Sequence, residues 1–432
     1  MKKLKLLALA AALTALALAP ACSNRGSDKK SDGSVTLRFA YWGGDARIEI
    51  YNQIVQRYQE DNPNVRITLE PSSWNDYFTK LSTQVAGGGA PDVISMHPRY
   101  MRYYSSNNAL LPLDSLIAAK TIDLTNFSDG AINMGKIDGK TWMVSTGTVA
   151  TGIFVNETIF NELGIPLTRF DSNFDWTAWE KLAIEVTQKS NGRYTGTGDD
   201  SFTPNDTAFT IFMRSRGKDF FTPDGKIAFD KADLKEWLSL FDRLRKAGAI
   251  GTAQHSGEAA NQTWEQSDQV AGTVGFWFLN ANRLRIYQDQ MPKHHLIMKR
   301  APNYNGNYGE YLEGSGISVN AKTKYPQEVA KFINYFVNTE RSLELFRIEH
   351  GFPASSVMNQ YVYTLLDPSN RLAAQFMDTV TSKGKLPDYV LPPDNWTEIL
   401  NLLGQESQAV AYGTKTIDKA VDDFFAAVGR LY

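Results

Sequence analysis

The stretch Val85-Ala86-Gly87-Gly88-Gly89-Ala90-Pro91-Asp92-Val93-Ile94-Ser95-Met96 decides how the chain is read. Upstream of it, Phe78, Leu81 and Val85 recur at helical spacing, which predicts a helix beginning near Ser73 with one apolar stripe. The glycines end that helix, because Gly accepts the left-handed geometry of a C-cap, and Pro91 cannot continue it. Asp92-Val93-Ile94 then enters a short buried strand. The order helix, glycines, strand is the reverse of a phosphate-cradling loop, and no Lys with a following Ser or Thr accompanies it, so a nucleotide site is not expected. The order supports instead an α/β sheet whose strand ends direct residues 95 to 100 into a cleft.

Outward from this stretch the same alternation recurs. Val35, Leu37 and Phe39 alternate with Thr36 and Arg38, the strand runs out at Tyr41-Trp42, and Gly43-Gly44-Asp45 turns the chain. Ile48, Tyr51, Ile54, Val55 and Tyr58 mark a helix stopped by Asn62-Pro63-Asn64, after which Val65, Ile67 and Leu69 alternate again. Parallel strands joined through a helix imply a right-handed crossover. Trp42, Asp45 and Trp74 thus fall at connections beside strand ends, where ligands bind in open α/β sheets.

Past Met96, the run His97-Pro98-Arg99-Tyr100-Met101-Arg102-Tyr103-Tyr104 is rich in donors and flat rings. Ile137-Asp138-Gly139-Lys140-Thr141-Trp142 reads as a hairpin turn, Thr148 to Asn156 as a crossing strand, and Val270 to Phe278 as a small-residue strand running into aromatics. Asp175-Trp176-Thr177-Ala178-Trp179-Glu180 carries a Thr177/Glu180 capping box. Phe202-Thr203-Pro204-Asn205-Asp206 reads as a loop into a helix, and Glu313-Gly314-Ser315-Gly316 as a flexible loop feeding a strand. Pro326 opens a further helix, and Ile417, Val421, Phe424, Phe425 and Val428 stripe the last one.

At 432 residues the chain exceeds the size at which a single core stops growing, roughly 250–300 residues, so two lobes are expected. A net charge of −2 gives no basic surplus, and nucleic acid is not an expected partner. Lys2, Lys3 and Lys5 form a positive start, and Leu6 to Leu18 form an apolar run of the length of a secretion signal, short of a spanning helix. The run ends in Leu18-Ala19-Pro20-Ala21-Cys22, whose cysteine is the only one in the chain. It resembles the lipobox of bacterial lipoproteins, with Ala19 where Leu is usual. On that reading residues 1–21 are a signal peptide, Cys22 carries the lipid, and the polar residues 22–34 are a flexible tether on the outer face of the cell membrane. Each buried CH₂ contributes about 0.8 kcal/mol, so two or more acyl chains anchor stably where one does not.

Taken together, Phe39-Ala40-Tyr41-Trp42-Gly43-Gly44, Gly89-Ala90-Pro91-Asp92-Val93-Ile94, Asp138-Gly139-Lys140, Phe154-Val155-Asn156, Asp175 to Glu180, Asp224 to Phe229 and Pro326 to Ile333 resemble the family 1 extracellular solute-binding proteins, the sugar-capturing components of ABC importers. The resemblance implies an α/β, two-lobed periplasmic-binding-protein-like fold, with discontinuous lobes joined by a hinge and a ligand cleft between them. Lobe one would take residues 35–148 and 303–350, and lobe two residues 149–302 and 351–432. It implies a monomer that delivers a carbohydrate ligand to permease subunits, touches the membrane only through its lipid, and uses no cofactor. Trp277 matches a sugar-stacking tryptophan of the family, and Trp396 matches a second. Met96 departs from the aromatic often found there, which leaves His97, Arg99 and Tyr100 as candidates. Trp42, Asp45, Trp74, Asn205 and Asp206 lie where relatives contact sugar, with Glu313 and Ser315 added more loosely.

Each candidate has a plainer explanation. Sugar recognition needs flat apolar faces for the C–H side of the ring and a few placed polar groups for hydroxyls. Core packing explains a tryptophan as readily, and Trp142, Trp176, Trp179, Trp237 and Trp264 are assigned to it. Arg99 could clamp a carboxylate such as a uronic acid offers, or make an ordinary ion pair. Asp45 and Asp206 suit hydroxyl acceptance and turn chemistry alike. The five histidines show no metal-binding i, i+4 pair, and Asp199-Asp200 in a Gly-rich loop could hold Ca²⁺ but reads first as a solvated turn. Two other function classes stay open: a secreted carbohydrate-active enzyme, either a lyase or a hydrolase with two carboxylates about 5–9.5 Å apart, and a binder of another polar solute.

Overall fold

The computed structural model describes residues 34–171, 173–202, 206–382 and 389–432, with the side chains of Asn75 and Asp206 set aside. The leader, Cys22 and the tether as far as Gly33 lie outside the described residues, as does Asn205.

Strands β1 (Val35–Trp42), β2 (Val65–Ser72) and β3 (Val93–Met96) are joined by helices α1 (Asp45–Asp61) and α2 (Trp74–Ala86), as the apolar spacing predicts. β1 pairs in parallel with both others, Phe39 lying opposite Leu69 on one side and Val93 on the other. Because the three strands run the same way, Trp42, Ser72 and Met96 emerge at one edge, and the residues that follow them share it. Ser73 caps α2 by accepting from Asp76 N at 3.2 Å, and Gly88 takes φ +69° beyond its end. α3 (Pro98–Ser106) follows β3 at once. Pro98 supplies its first residue, and His97 Nδ1 accepts from Arg99 N at 3.3 Å as its cap.

β4 (Lys136–Ile137) and β5 (Lys140–Thr141) form the expected hairpin, with Asp138 and Gly139 both at positive φ as a type I′ turn requires. β6 (Val144–Asn156) is buried along all 13 residues. β7 (Thr195–Thr197), β8 (Val274–Asn280), β9 (Leu296–Lys299) and β10 (Leu312–Val319) complete a sheet of order β2-β1-β3-β10-β6-β8-β7, with β9 also on β6. β6 pairs with β10 up to Ala150 and with β8 from Thr151 onward, so one strand serves both lobes. Side chains alternate across the sheet. Ile153, Val155, Phe276 and Phe278 enter one core with Trp176 and Trp179, while Phe154 and Trp277 enter another with Tyr287 and Met291.

Three local expectations are corrected. Glu313-Gly314-Ser315-Gly316 is not a flexible loop but part of β10. Its glycines allow close approach: a Cβ on Gly314 would lie 2.1 Å from Gly147 O, and one on Gly316 2.2 Å from Val144 O. Helix Trp176–Lys189 is capped by Asp175, which accepts from Ala178 N at 2.7 Å, rather than by a Thr177/Glu180 box. Glu180 instead pairs with Arg243 at 2.7 Å. Asp199 is no solvated turn residue either: it pairs with Arg245 at 2.8 Å, and burial beside this carboxylate pushes Asp200 up to about 8.

Candidate ligand cleft

The shared edge of β1, β2 and β3 opens into a cleft of about 310 Å³. Trp42, Trp74, His97 and Arg99, each at or just beyond a strand end, form one wall. Trp74 is 40% exposed, while Trp42 is only 9% exposed. Edge-on contacts with Trp42 at 5.1 Å, Phe78 at 5.4 Å and His97 at 5.5 Å hold the Trp74 indole and leave much of it open. Beneath it, His350 stacks on Trp42 at 5.7 Å, and its Nδ1 lies 2.5 Å from Ser315 Oγ. A bulge between Ser315 and Gly316 breaks the β6–β10 register here, which re-aims this part of β10 toward the cleft.

Charged and amide groups complete the lining. Arg47 reaches back along α1, Nη1 donating to Trp42 O at 2.7 Å, with Nε and Nη2 on Glu349 Oε1 at 3.0 and 2.8 Å. Gly43 makes room for this, since a Cβ there would meet Arg47 Cδ at 2.5 Å. Asn280, Asn282 and Arg283 line the cleft at and just past the end of β8. Asn280 Nδ2 donates to Glu313 Oε1 at 2.9 Å, Arg99 Nη2 lies 3.6 Å from Glu313 Oε2, and Asn282 Nδ2 donates to Glu349 O at 3.2 Å. A second groove, about 430 Å³, adjoins the first through Trp74 and Arg99. There Tyr100 stacks on Phe78 at 3.6 Å, and the Arg99 guanidinium lies 5.4 Å from the Trp396 ring.

Six of the sequence candidates, Trp42, Trp74, His97, Arg99, Glu313 and Ser315, thus share the cleft, and Tyr100 and Trp396 share the adjoining groove. Asp45 is exposed in the first turn of α1 and lines neither. Asp206 opens helix Asp206–Ser215, whose next residue, Thr207, lines the cleft. Trp277 is corrected: it is 3% exposed and packs between Phe154 at 5.8 Å and Tyr287 at 6.0 Å, on a sheet face covered by helix Leu284–Gln290. Arg47, Asn280, Asn282, Arg283, Glu349 and His350 join the cleft without having been sequence candidates. The strand-end rule that selects Trp42 and His97, applied to β8, would have found Asn280 and Arg283. Nothing in the sequence marks Glu349 and His350, which pair with residues some 300 positions away.

His97 and His350 both titrate well below the ordinary histidine range. Burial is the main cause for each, with the Arg99 charge added at His97 and the Arg47 and Arg283 charges at His350. Both rings are therefore neutral in the fold but take up protons when the chain unfolds. Their contribution to stability is full above about pH 6.5 and is lost as pH falls below it. Acidification from about pH 7 to about pH 5 is expected to lower the melting temperature, His350 alone supplying up to about 1.4 kcal/mol per pH unit. His350→Gln should flatten that dependence, and parallel melting curves for parent and variant across this window would refute the assignment.

The profile described as bacterial extracellular solute-binding protein matches residues 44–341. The chain belongs to this family. Among its fellow solute-binding proteins, it is 24% identical over 370 residues to the multiple sugar-binding protein of Streptococcus mutans, spanning 82% of each chain. A family 1 extracellular solute-binding protein from Alicyclobacillus acidocaldarius superposes with a TM-score of 0.71 at 25% identity, over 92% of this chain and 98% of that one. The periplasmic oligogalacturonide-binding protein of Yersinia enterocolitica, in complex with saturated digalacturonic acid, superposes at 0.78 over the same shares at 18% identity, a likeness of fold. Two lobes around a cleft are common to this solute-binding architecture, as the sequence resemblance implies.

Proposed function

We propose that the protein captures an oligosaccharide in this cleft and delivers it, unaltered, to the permease of an ABC importer. The observation that carries the reading is the open Trp74 ring, backed by Trp42 and Phe78, sharing one cleft with the amide and carboxylate groups of Asn280, Asn282 and Glu313. A pyranose offers the matching pair of surfaces, apolar C–H groups on a face and hydroxyls at the rim. The name of the Streptococcus mutans relative supports a sugar as the solute. The adjoining groove of Tyr100 and Trp396 supports a ligand longer than one ring. Lobes divided near residues 148, 302 and 350 would close about the point where β6 changes partners, driven by tighter binding to the closed form. The protein acts as a monomer, tethered outside the cell by lipid on Cys22.

Titration with a panel of neutral and acidic oligosaccharides tests this. A saturable rise in melting temperature, with the sugar recovered unchanged, is expected; new reducing or unsaturated ends would establish the enzyme reading instead. Trp74→Ala removes an indole of which 40% is open, which at about 25 cal/mol per Å² weakens binding by roughly 2 kcal/mol, or about 30-fold. An unchanged dissociation constant would remove Trp74 from the site.

A further inference from the structure

Resting on the capture of a sugar proposed above, we infer that the ligand is a uronate oligosaccharide and that Arg283 receives its carboxylate. Among the described residues, three guanidinium groups, Arg47, Arg99 and Arg283, meet two carboxylates, Glu313 and Glu349, in the cleft. Glu349 holds Arg47, and Arg99 lies 3.6 Å from Glu313. Arg283 makes neither an ion pair nor a side-chain hydrogen bond within the described residues, although its side chain reaches solvent in the cleft. The histidines do not change this balance, because burial keeps His97 and His350 neutral.

Arg283 is exposed to the open cleft, where water solvates its charge. Neighbouring protein and the like charge of Arg47 lower its affinity for the proton below the ordinary value, and the Glu349 carboxylate, already paired with Arg47, offsets this only in part. Closing the lobes over a neutral sugar would take away water without supplying a counter-charge, leaving a desolvated cation. A carboxylate on the sugar ring supplies that charge. The guanidinium fork matches its two oxygens, a geometry a hydroxyl cannot reproduce. Asn282, one residue away, lines the same cleft and is held there by donating its Nδ2 to Glu349 O at 3.2 Å.

The test is calorimetric titration of the mature chain with trimers of galacturonate, glucuronate and mannuronate, neutral trisaccharides of matching linkage, and a phosphorylated sugar. At least one uronate trimer is expected to bind about 10-fold or more tightly than its neutral counterpart, with an affinity that falls as salt is raised. Arg283→Gln should weaken that uronate roughly 30-fold, and Arg283→Lys, which keeps a point charge without the fork, should restore part of the loss. The ligand-free Arg283→Gln variant should melt no lower than the parent, since it gives up no partner; a lowered melting point would show a structural role and overturn the assignment. Tight binding of neutral sugars alone, or preference for the phosphorylated sugar, would overturn the uronate inference while leaving capture intact. No binding by any sugar would end both readings.

Discussion

Trp277→Ala is expected to destabilise the fold by about 3–5 kcal/mol, seen as a lower melting temperature and denaturation midpoint with or without sugar. The indole is 3% exposed and packs against Phe154 and Tyr287, in a core that ties β8 to the helix beneath it. Truncation removes the transfer energy of the ring and leaves a cavity that rigid strand neighbours cannot close. Trp277→Phe, which keeps a ring against Phe154 and Tyr287, should cost markedly less. A Trp277→Ala protein with parental stability but abolished sugar binding would restore the stacking role that the sequence resemblance implies.

Glu310→Ala is expected to cost a similar 3–5 kcal/mol, for an electrostatic reason. The Glu310 side chain is 0% exposed and accepts from Arg300 Nε at 3.0 Å, Arg300 Nη2 at 2.8 Å and Ala301 N at 3.0 Å. These bonds fix residues 300–311, which carry the chain from β9 back to β10 and so return it across the sheet toward the cleft. Alanine leaves the Arg300 guanidinium, 14% exposed, without its carboxylate. The penalty comes mainly from that stranded charge, so replacing both partners together, as Arg300→Met with Glu310→Leu, should be less damaging than Glu310→Ala alone. Equal or additive losses in chemical denaturation would contradict this account.

The sequence reveals the first half of the sheet because β1, α1, β2, α2 and β3 carry clean apolar periods bounded by Gly, Pro and Asn. α3 is hidden because its buried positions, Met101, Tyr104 and Ser105 after Pro98, make no continuous apolar stripe. β10 is misread because glycines selected for close backbone contact look like glycines selected for flexibility. The wall bearing Trp42, Trp74, His97 and Arg99 is legible, since each residue follows a strand. Asn280 and Arg283 lie at and just past the end of β8 and answer to the same rule, whereas Glu349 and His350 are not legible, because they join the cleft only through pairing with Arg47 and Tyr51, some 300 positions away. Trp277 shows the limit of resemblance: alternation along β8 puts its neighbours Phe276 and Phe278 in one core and Trp277 in the other, and neither face is the cleft.

The most direct test is a crystal structure of the protein with the oligosaccharide that raises its melting temperature most. One intact sugar chain is expected in the cleft, with a ring against Trp74, polar groups within hydrogen-bond reach of Asn280, Asn282 and Glu313, and further rings toward Tyr100 and Trp396. Sugar density elsewhere on the molecule, with the Trp74 cleft occupied only by solvent, would contradict that placement.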